Sequence, residues 1–403
     1  MALTGPADGA PSTAPAHLAT TALAAAADLA GQTARWGRRV EIDGPALLGE
    51  RAAITGMTRN GSVSVGGSAR FLKAADGWIA VNLPRPEDVA ALPALVSRSV
   101  PPDDWPSIEA GVRSMRSGDL VEQAARLGMA VGVPTTDRSP AAPGRELAWG
   151  SARRRSGTPL VVDLSALWAG PLAAGLLRLA GARVVKVEGR ARPDGARAGA
   201  AAFYDLLNTG KECLAVDLHD PDDIELLRRL ISAADLVIEG SRPRVMDALG
   251  IRPEVVVRGG TNWLSITAHG RTGPGANRVG FGDDTAVAGG LLIEGDPPMF
   301  VADAVADPLT GLVAAVHGAD LLAGERAAAV EVPLARVAAW AAGGPCHSTV
   351  RRAGDEWMVD AGGEWVPVAA PHHRPLPAAA PPLGAHDTAL RAEFGARPGE
   401  RPG

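Results

Sequence analysis

Asp307 stands directly before Pro308, and Leu309, Leu312, Val313 and Val316 follow at helical spacing. That pattern predicts a helix with Asp307 as its N-cap and proline at its first position. A carboxylate there has two readings. It can simply cap the helix. It can also be held ionised by the helix dipole and nearby N–H groups, and act as a nucleophile toward an activated acyl group. Asp303, four residues earlier, is a rival for the same task. Asp283 and Asp284 are adjacent, so their side chains diverge whatever the local structure, and a structural role is expected for them.

A second group is cationic. Arg183, Lys186, Arg190, Arg192 and Arg197 crowd one segment against Glu188 and Asp194, and Lys211, Arg242 and Arg244 fall at later turns. Turns at the carboxyl ends of parallel strands gather at one sheet edge, where ligands bind. The group is therefore either a solvated rim or a site for a phosphate-bearing ligand. The eight histidines are scattered, although His269 follows an expected strand and could line a site. No metal-ligand spacing and no G-x-S-x-G elbow occur. Cys213 and Cys346, without a C-x-x-C, exclude a disulfide framework and a cysteine zinc site.

The elements that must position these groups alternate. Leu160–Leu164 reads as a buried strand, Leu172–Leu179 as a helix, and Arg183–Glu188 as the next strand, which makes a βαβ unit. Strands at Cys213–Asp217, Leu236–Glu239 and Trp263–Thr267 continue it, with helices at 201–207, 220–233 and 244–249. The expected fold is α/β, a doubly wound and mostly parallel, Rossmann-like sheet. Glu188 ends the second strand, where a dinucleotide site would hold a ribose, but Leu167-Trp168-Ala169-Gly170-Pro171 has one glycine where G-x-G-x-x-G needs three. A nicotinamide site is therefore disfavoured.

Upstream, Arg70–Lys73 and Trp78–Leu83 flank a turn with Asp76-Gly77, a β-hairpin signature. The expected domains are a flexible leader and Ala-rich helix (1–45), a small α+β domain (46–134), a linker (135–158), the large domain (159–343), and a C-terminal hairpin with a Pro-rich tail (344–403). A net charge of −5 argues against nucleic-acid binding. No run of 18 apolar residues occurs, and the Ala-rich segment 17–34 lacks the basic start of a signal peptide, so a cytoplasmic protein is expected.

The stretch from Val161 to Pro171 (VVDLSALWAGP) resembles the opening strand and turn of the family III CoA-transferases, which include formyl-CoA transferase, carnitine CoA-transferase and α-methylacyl-CoA racemase. Further resemblances follow in the family's order: Gly181–Glu188, Asn208–Lys211 with Leu214–Leu218, Ala234–Glu239 with Arg242-Pro243, Ser265–Thr267 with Gly270 and Gly273-Pro274, and Ala306–Gly311. Together they cover about residues 159–325.

The resemblance implies a CoA-transferase in which Asp307 attacks an acyl-CoA thioester, forms a mixed anhydride, and then carries CoA as an aspartyl thioester to an incoming carboxylate. It implies acyl-CoA and carboxylate substrates, no metal, no permanently bound cofactor, and a homodimer. The family's CoA contacts map onto Trp168 and Ala169, Arg190, Asp217 and Leu218, and Arg242; Lys211 joins them from the cationic group. Gly66 and Gly67 are either a hairpin lead-in or a loop that covers the anhydride.

Three departures stand out. The small-domain motifs, Gly66–Leu83 and Leu127–Pro134, precede the large domain. The racemases' histidine position falls on Phe281, in the expected substrate pocket, and their glutamate falls near Arg85, so proton transfer loses its carriers. Ala248 occupies the place of a CoA-binding arginine. A racemase and a non-catalytic CoA-binding protein are the rival readings. Phe281 and Leu291, near the expected site, lean away from a very small dicarboxylate as the substrate.

Overall fold

The computed structural model describes residues 2–13, 18–135, 142–151, 157–342 and 348–395. The expected hairpin forms from β1 (Ala69–Ala74) and β2 (Gly77–Asn82), with Ala74 opposite Gly77 and Ala75-Asp76 at the turn. The short strand β3 (Ala130–Gly132) adds to β2. Side chains alternate across this sheet. Leu72, Ile79 and Val81 face a core shared with Ile108, Val112 and Leu120 of two covering helices. Phe71 and Ala80 face the opposite way and pack on Val287, Leu292 and Phe300 of the large region. The small sheet is thereby fastened beside the helix Gly282–Ala288.

The large sheet contains β4 (Arg145–Trp149), β5 (Leu160–Leu164), β6 (Arg183–Gly189), β7 (Glu212–Val216), β8 (Leu236–Glu239), β9 (Asn262–Thr267) and β10 (Ala328–Pro333), in the order β4-β10-β9-β8-β5-β6-β7. All pair in parallel except β4, which is antiparallel to β10. The strand order reverses at β5, so a crevice opens at the carboxyl ends of β5 and β8, the place where doubly wound sheets bind ligands. Helices Ala169–Leu179 and Ala306–Ala323 fill one face, and Pro221–Ala233 and Pro253–Arg258 the other.

Three segments differ from expectation. The 135–158 segment supplies β4, because Arg145 pairs with buried Glu331 and Ala148 with Ala329; its residues 136–141 and 152–156 lie outside the described residues. Residues 2–13 are packed, with Leu3 and Thr4 buried and the Ser12 N–H donating to the Thr4 carbonyl at 2.8 Å; Met1, residues 14–17 and Cys346 lie outside the description. The helix Leu18–Thr33 also joins the large core. After the meander β11 (Val350–Ala353), β12 (Glu356–Asp360) and β13 (Trp365–Pro367), the Pro-rich tail returns to the large sheet. Helix Asp387–Phe394 docks there through the ion pairs Arg190–Asp387, Arg183–Glu393 and Arg391–Asp223.

Candidate active site

Helices Ala169–Leu179 and Ala306–Ala323 cross at their first turns. A Cβ on Gly311 would lie 2.7 Å from the Ala169 carbonyl, so only glycine permits this approach. The consequence is positional: Asp307, one turn earlier, sits beside the crevice at the carboxyl end of β5. Asp307 is not an N-cap. The helix begins at Ala306, with Val305 at the cap, because residues 302–305 turn tightly and already carry the chain into helical geometry.

The Asp307 carboxylate reaches another helix instead. Its Oδ2 accepts the backbone N–H of Gly282, the first residue of Gly282–Ala288, at 3.1 Å. A Cβ on Gly282 would stand 2.2 Å from the Ala304 carbonyl and 2.7 Å from Asp307 Oδ2. Burial pushes the Asp307 carboxyl up to about 7, with Asp284 and Asp303 adding to the rise and Arg51 and the Gly282 N–H opposing it. Asp307 remains half-buried, and among the described residues its Oδ1 accepts no hydrogen bond. An oriented, reachable carboxylate oxygen that is about half ionised near neutral pH can act as a nucleophile.

The neighbouring carboxylates are committed. Asp303 is fully buried and takes Arg51 as a fork, at 2.9 Å to Nε and 2.5 Å to Nη2. Asp283 accepts the Ala304 N–H at 3.1 Å, and burial with nearby Asp303 raises it to about 7. Asp284 accepts Phe281 N–H at 2.9 Å and Asn82 Nδ2 at 3.0 Å, joining the small sheet to the site. Burial raises it to about 6. The pair does diverge, one carboxylate toward the 302–305 turn and the other toward the hairpin. Ala302 and Ala304 adopt φ of 52° and 44°, a strained turn held by these bonds and by Thr4 Oγ1, which accepts the Ala302 N–H at 3.1 Å.

The expected CoA residues divide in two. Ala169, Arg190, Asp217, Leu218 and Arg242 all lie at carboxyl ends of β5 to β8, Asp217 and Leu218 exposed beyond β7. Arg242 has Arg244, Arg192 and Arg85 as charged neighbours; burial and then this repulsion lower its pKa. Among the described residues Arg192, Arg242 and Arg244 form no ion pair, so this part of the cationic rim is uncompensated, whereas Arg190 is neutralised by Asp387.

Trp168 and Lys211 are interior. Trp168 is 2% exposed, with Phe203 edge-on at 4.9 Å and the Arg51 guanidinium 4.8 Å from its ring centre, so its face is occupied. Lys211 donates to Asp163 Oδ2, the Pro171 carbonyl and Asn208 Oδ1, each at 2.9 Å. All three protons are used, and none is left for a phosphate. With Lys186, which pairs with Asp194 at 2.9 Å, it forms a buried ionic floor under the 165–168 turn.

Phe281 is half-buried at the start of Gly282–Ala288, with Arg85 at 5.9 Å from its ring. Gly66 and Gly67 are exposed, and Gly66 faces Arg51: a Cβ there would be 3.2 Å from Nη2. His269 lines a separate cavity of about 410 Å³ with Arg278. Arg51 is the residue that sequence reasoning missed. Its only signal is a Glu50-Arg51 pair in a small-residue stretch, and its partner lies 252 positions away.

Residues 159–356 match the model of CoA-transferase family III. The chain is 34% identical over 180 residues to a succinate–glutarate CoA-transferase of Agrobacterium fabrum, covering 40% of this chain and 45% of that protein. It is 30% identical over 167 residues to the human succinyl-CoA:glutarate CoA-transferase, covering 38% of each. The chain thus spans less than half the length of these curated relatives. A crystal structure of a hypothetical protein from Mycobacterium tuberculosis aligns at 29% identity with a TM-score of 0.45, over 52% of this chain and 64% of that one.

Proposed function

We propose that the chain is a member of CoA-transferase family III, whose model its residues 159–356 match, and that it moves CoA from an acyl-CoA thioester to a carboxylic acid, with Asp307 as nucleophile. The observation that carries this reading is the half-buried Asp307 carboxylate, fixed by the Gly282 N–H beside the β5–β8 crevice. The ionised carboxylate attacks the thioester carbonyl, the C–S bond breaks, and CoA departs as its thiolate. The thiolate attacks the aspartyl carbonyl of the mixed anhydride and releases the donor acid as a carboxylate. The acceptor carboxylate then attacks the aspartyl thioester and expels CoA thiolate. That thiolate takes the acceptor acyl group and restores Asp307. Each step exchanges one anionic leaving group for another, so no proton carrier is required.

The uncompensated Arg192, Arg242 and Arg244 support binding of CoA phosphates at the crevice, with Ala169, Asp217 and Leu218 alongside. Trp168 and Lys211 act from beneath, by holding the 165–168 turn. Gly66, Gly67 and Phe281 border the acyl side. The small sheet reaches the site through Asn82 and Asp284 although it precedes the matched segment in the chain. We extend the proposal to a cytoplasmic homodimer, which light scattering and cell fractionation would test.

The deciding experiment is intact mass spectrometry of the protein with a panel of acyl-CoA thioesters and hydroxylamine trapping, for wild type and Asp307→Ala. Succinyl-CoA and glutaryl-CoA belong in the panel because the relatives carry those names, and bulkier acyl groups because Phe281 borders the site. An adduct lost in the variant supports the route. CoA binding with no adduct from any donor would move the reading to a binding protein. A racemase would instead show α-carbon deuterium exchange without an acceptor acid, which Phe281 cannot supply.

A further inference from the structure

We infer that Arg51, from the N-terminal segment outside the family-matched residues, is a positioning residue of the Asp307 centre: forked onto Asp303 and seated on Trp168, it locks the turn that presents Asp307 and supplies the positive charge that this carboxylate faces. The functional consequence rests on Asp307 being the nucleophile, as proposed above; the geometry does not.

Arg51 is bounded on three sides. Nε and Nη2 engage the two oxygens of fully buried Asp303. The guanidinium plane lies 4.8 Å from the Trp168 ring centre, a cation–π contact in a largely dry setting. Gly66 abuts Nη2 from the small-sheet side. The helix that carries it, Glu50–Thr55, is itself anchored, because buried Glu50 takes the Arg374 side chain at 2.7 and 2.8 Å and its backbone N–H at 3.0 Å. One side chain thus joins the Asp303 turn, the β5 turn and the glycine loop.

The charges around it make the position consequential. Asp283, Asp303 and Asp307 all act on Arg51. Asp307 faces Arg51, Asp284 and Asp303, and the influence of Arg51 is the strongest charge among them and the one of opposite sign. Arg278 faces Asp284 and donates to the Val131 carbonyl. Without Arg51, buried Asp303 is unpaired and Asp307 is left among like charges. An arginine that merely fastened the N-terminal segment would alter stability and leave the ionisation of Asp307 alone.

The test reads Asp307 directly, with no CoA present, so its failure is distinct from a failure of CoA transfer. The full chain is labelled with a water-soluble carbodiimide and glycinamide from pH 5.5 to 9, and tandem mass spectrometry resolves Asp307. Protonated carboxyl is the reacting form, so wild-type labelling falls with a midpoint near 7. Arg51→Gln should move that midpoint up by about one pH unit or more, and Arg51→Lys should keep it near wild type. Arg51→Gln/Asp303→Asn leaves no orphaned buried charge, guards against misfolding of the single variant, and should still shift the midpoint upward. A folded Arg51→Gln or double variant with an unmoved midpoint would overturn the inference.

Discussion

Gly282 and Asp307 belong to different helices, and the backbone N–H of the first donates to the carboxylate of the second at 3.1 Å. The carboxylate therefore sits at the N-terminus of a helix it does not belong to. Asp307 is aimed by a packing relationship, and its own helix leaves it free to face the crevice.

That relationship predicts the outcome of Gly282→Ala. The added methyl meets the Ala304 carbonyl at 2.2 Å and Asp307 Oδ2 at 2.7 Å, so the turn or the carboxylate must move. We expect a loss of about 1–3 kcal/mol in stability and at least a tenfold slower aspartyl adduct. Chemical denaturation and adduct kinetics measure the two; wild-type values for both would contradict the geometry.

Adduct formation should rise with pH. The nucleophile is the ionised form, and burial places Asp307 near 7, so the rate should climb through that pH and level off above it. A rate independent of pH between 6 and 8.5 would count against Asp307 as the attacking group.

Stability should move the opposite way. Asp283, Asp284 and Asp307 have folded-state values raised to about 7, 6 and 7, so between about pH 4.5 and 7 the folded state holds more protons than the unfolded one. Their contribution is full at the acid end of this window and is lost as pH rises through the folded values. Asp283→Asn should flatten the decline, as read from denaturation midpoints at pH 5 and pH 8. An unchanged slope in this variant would show that Asp283 is not a source.

Arg242 and Lys211 should separate binding from folding. Arg242→Gln removes an unpaired cation from the crevice rim, and should weaken CoA binding several-fold in calorimetry with little change in stability. Lys211→Met leaves buried Asp163 without its closest cation, at a cost of about 3–5 kcal/mol. Normal stability in Lys211→Met would mean that the buried floor does not bear on the fold.

The N-terminal segment should matter to the site. Thr4→Val removes the acceptor for the Ala302 N–H, which should cost about 1–3 kcal/mol because the buried donor is left unsatisfied. Hydrogen exchange at Ala302 would rise if that bond holds the turn, and stay at its wild-type rate if it does not.

What the residues specify locally survives into the fold. Leu160–Leu164, Arg183–Glu188 and Leu236–Glu239 are strands because their Val-, Leu- and Ile-rich cores bury both faces of a parallel sheet, and Ala74–Gly77 turns where Asp-Gly falls between two short strand-forming runs. The motifs that carry the family resemblance lie on those same elements, so Asp307 and the crevice turns were singled out by the resemblance, whereas spacing alone made Asp307 an N-cap, which the fold does not. Burial and pairing were not legible. The pairing of Arg51 with Asp303, the inward seat of Trp168, the exhaustion of Lys211 and the recruitment of Arg145–Trp149 as an edge strand each depend on groups far apart in the chain. Spacing sets backbone hydrogen bonding within an element, whereas the partner of a buried charge is set by whichever distant surface packing brings against it.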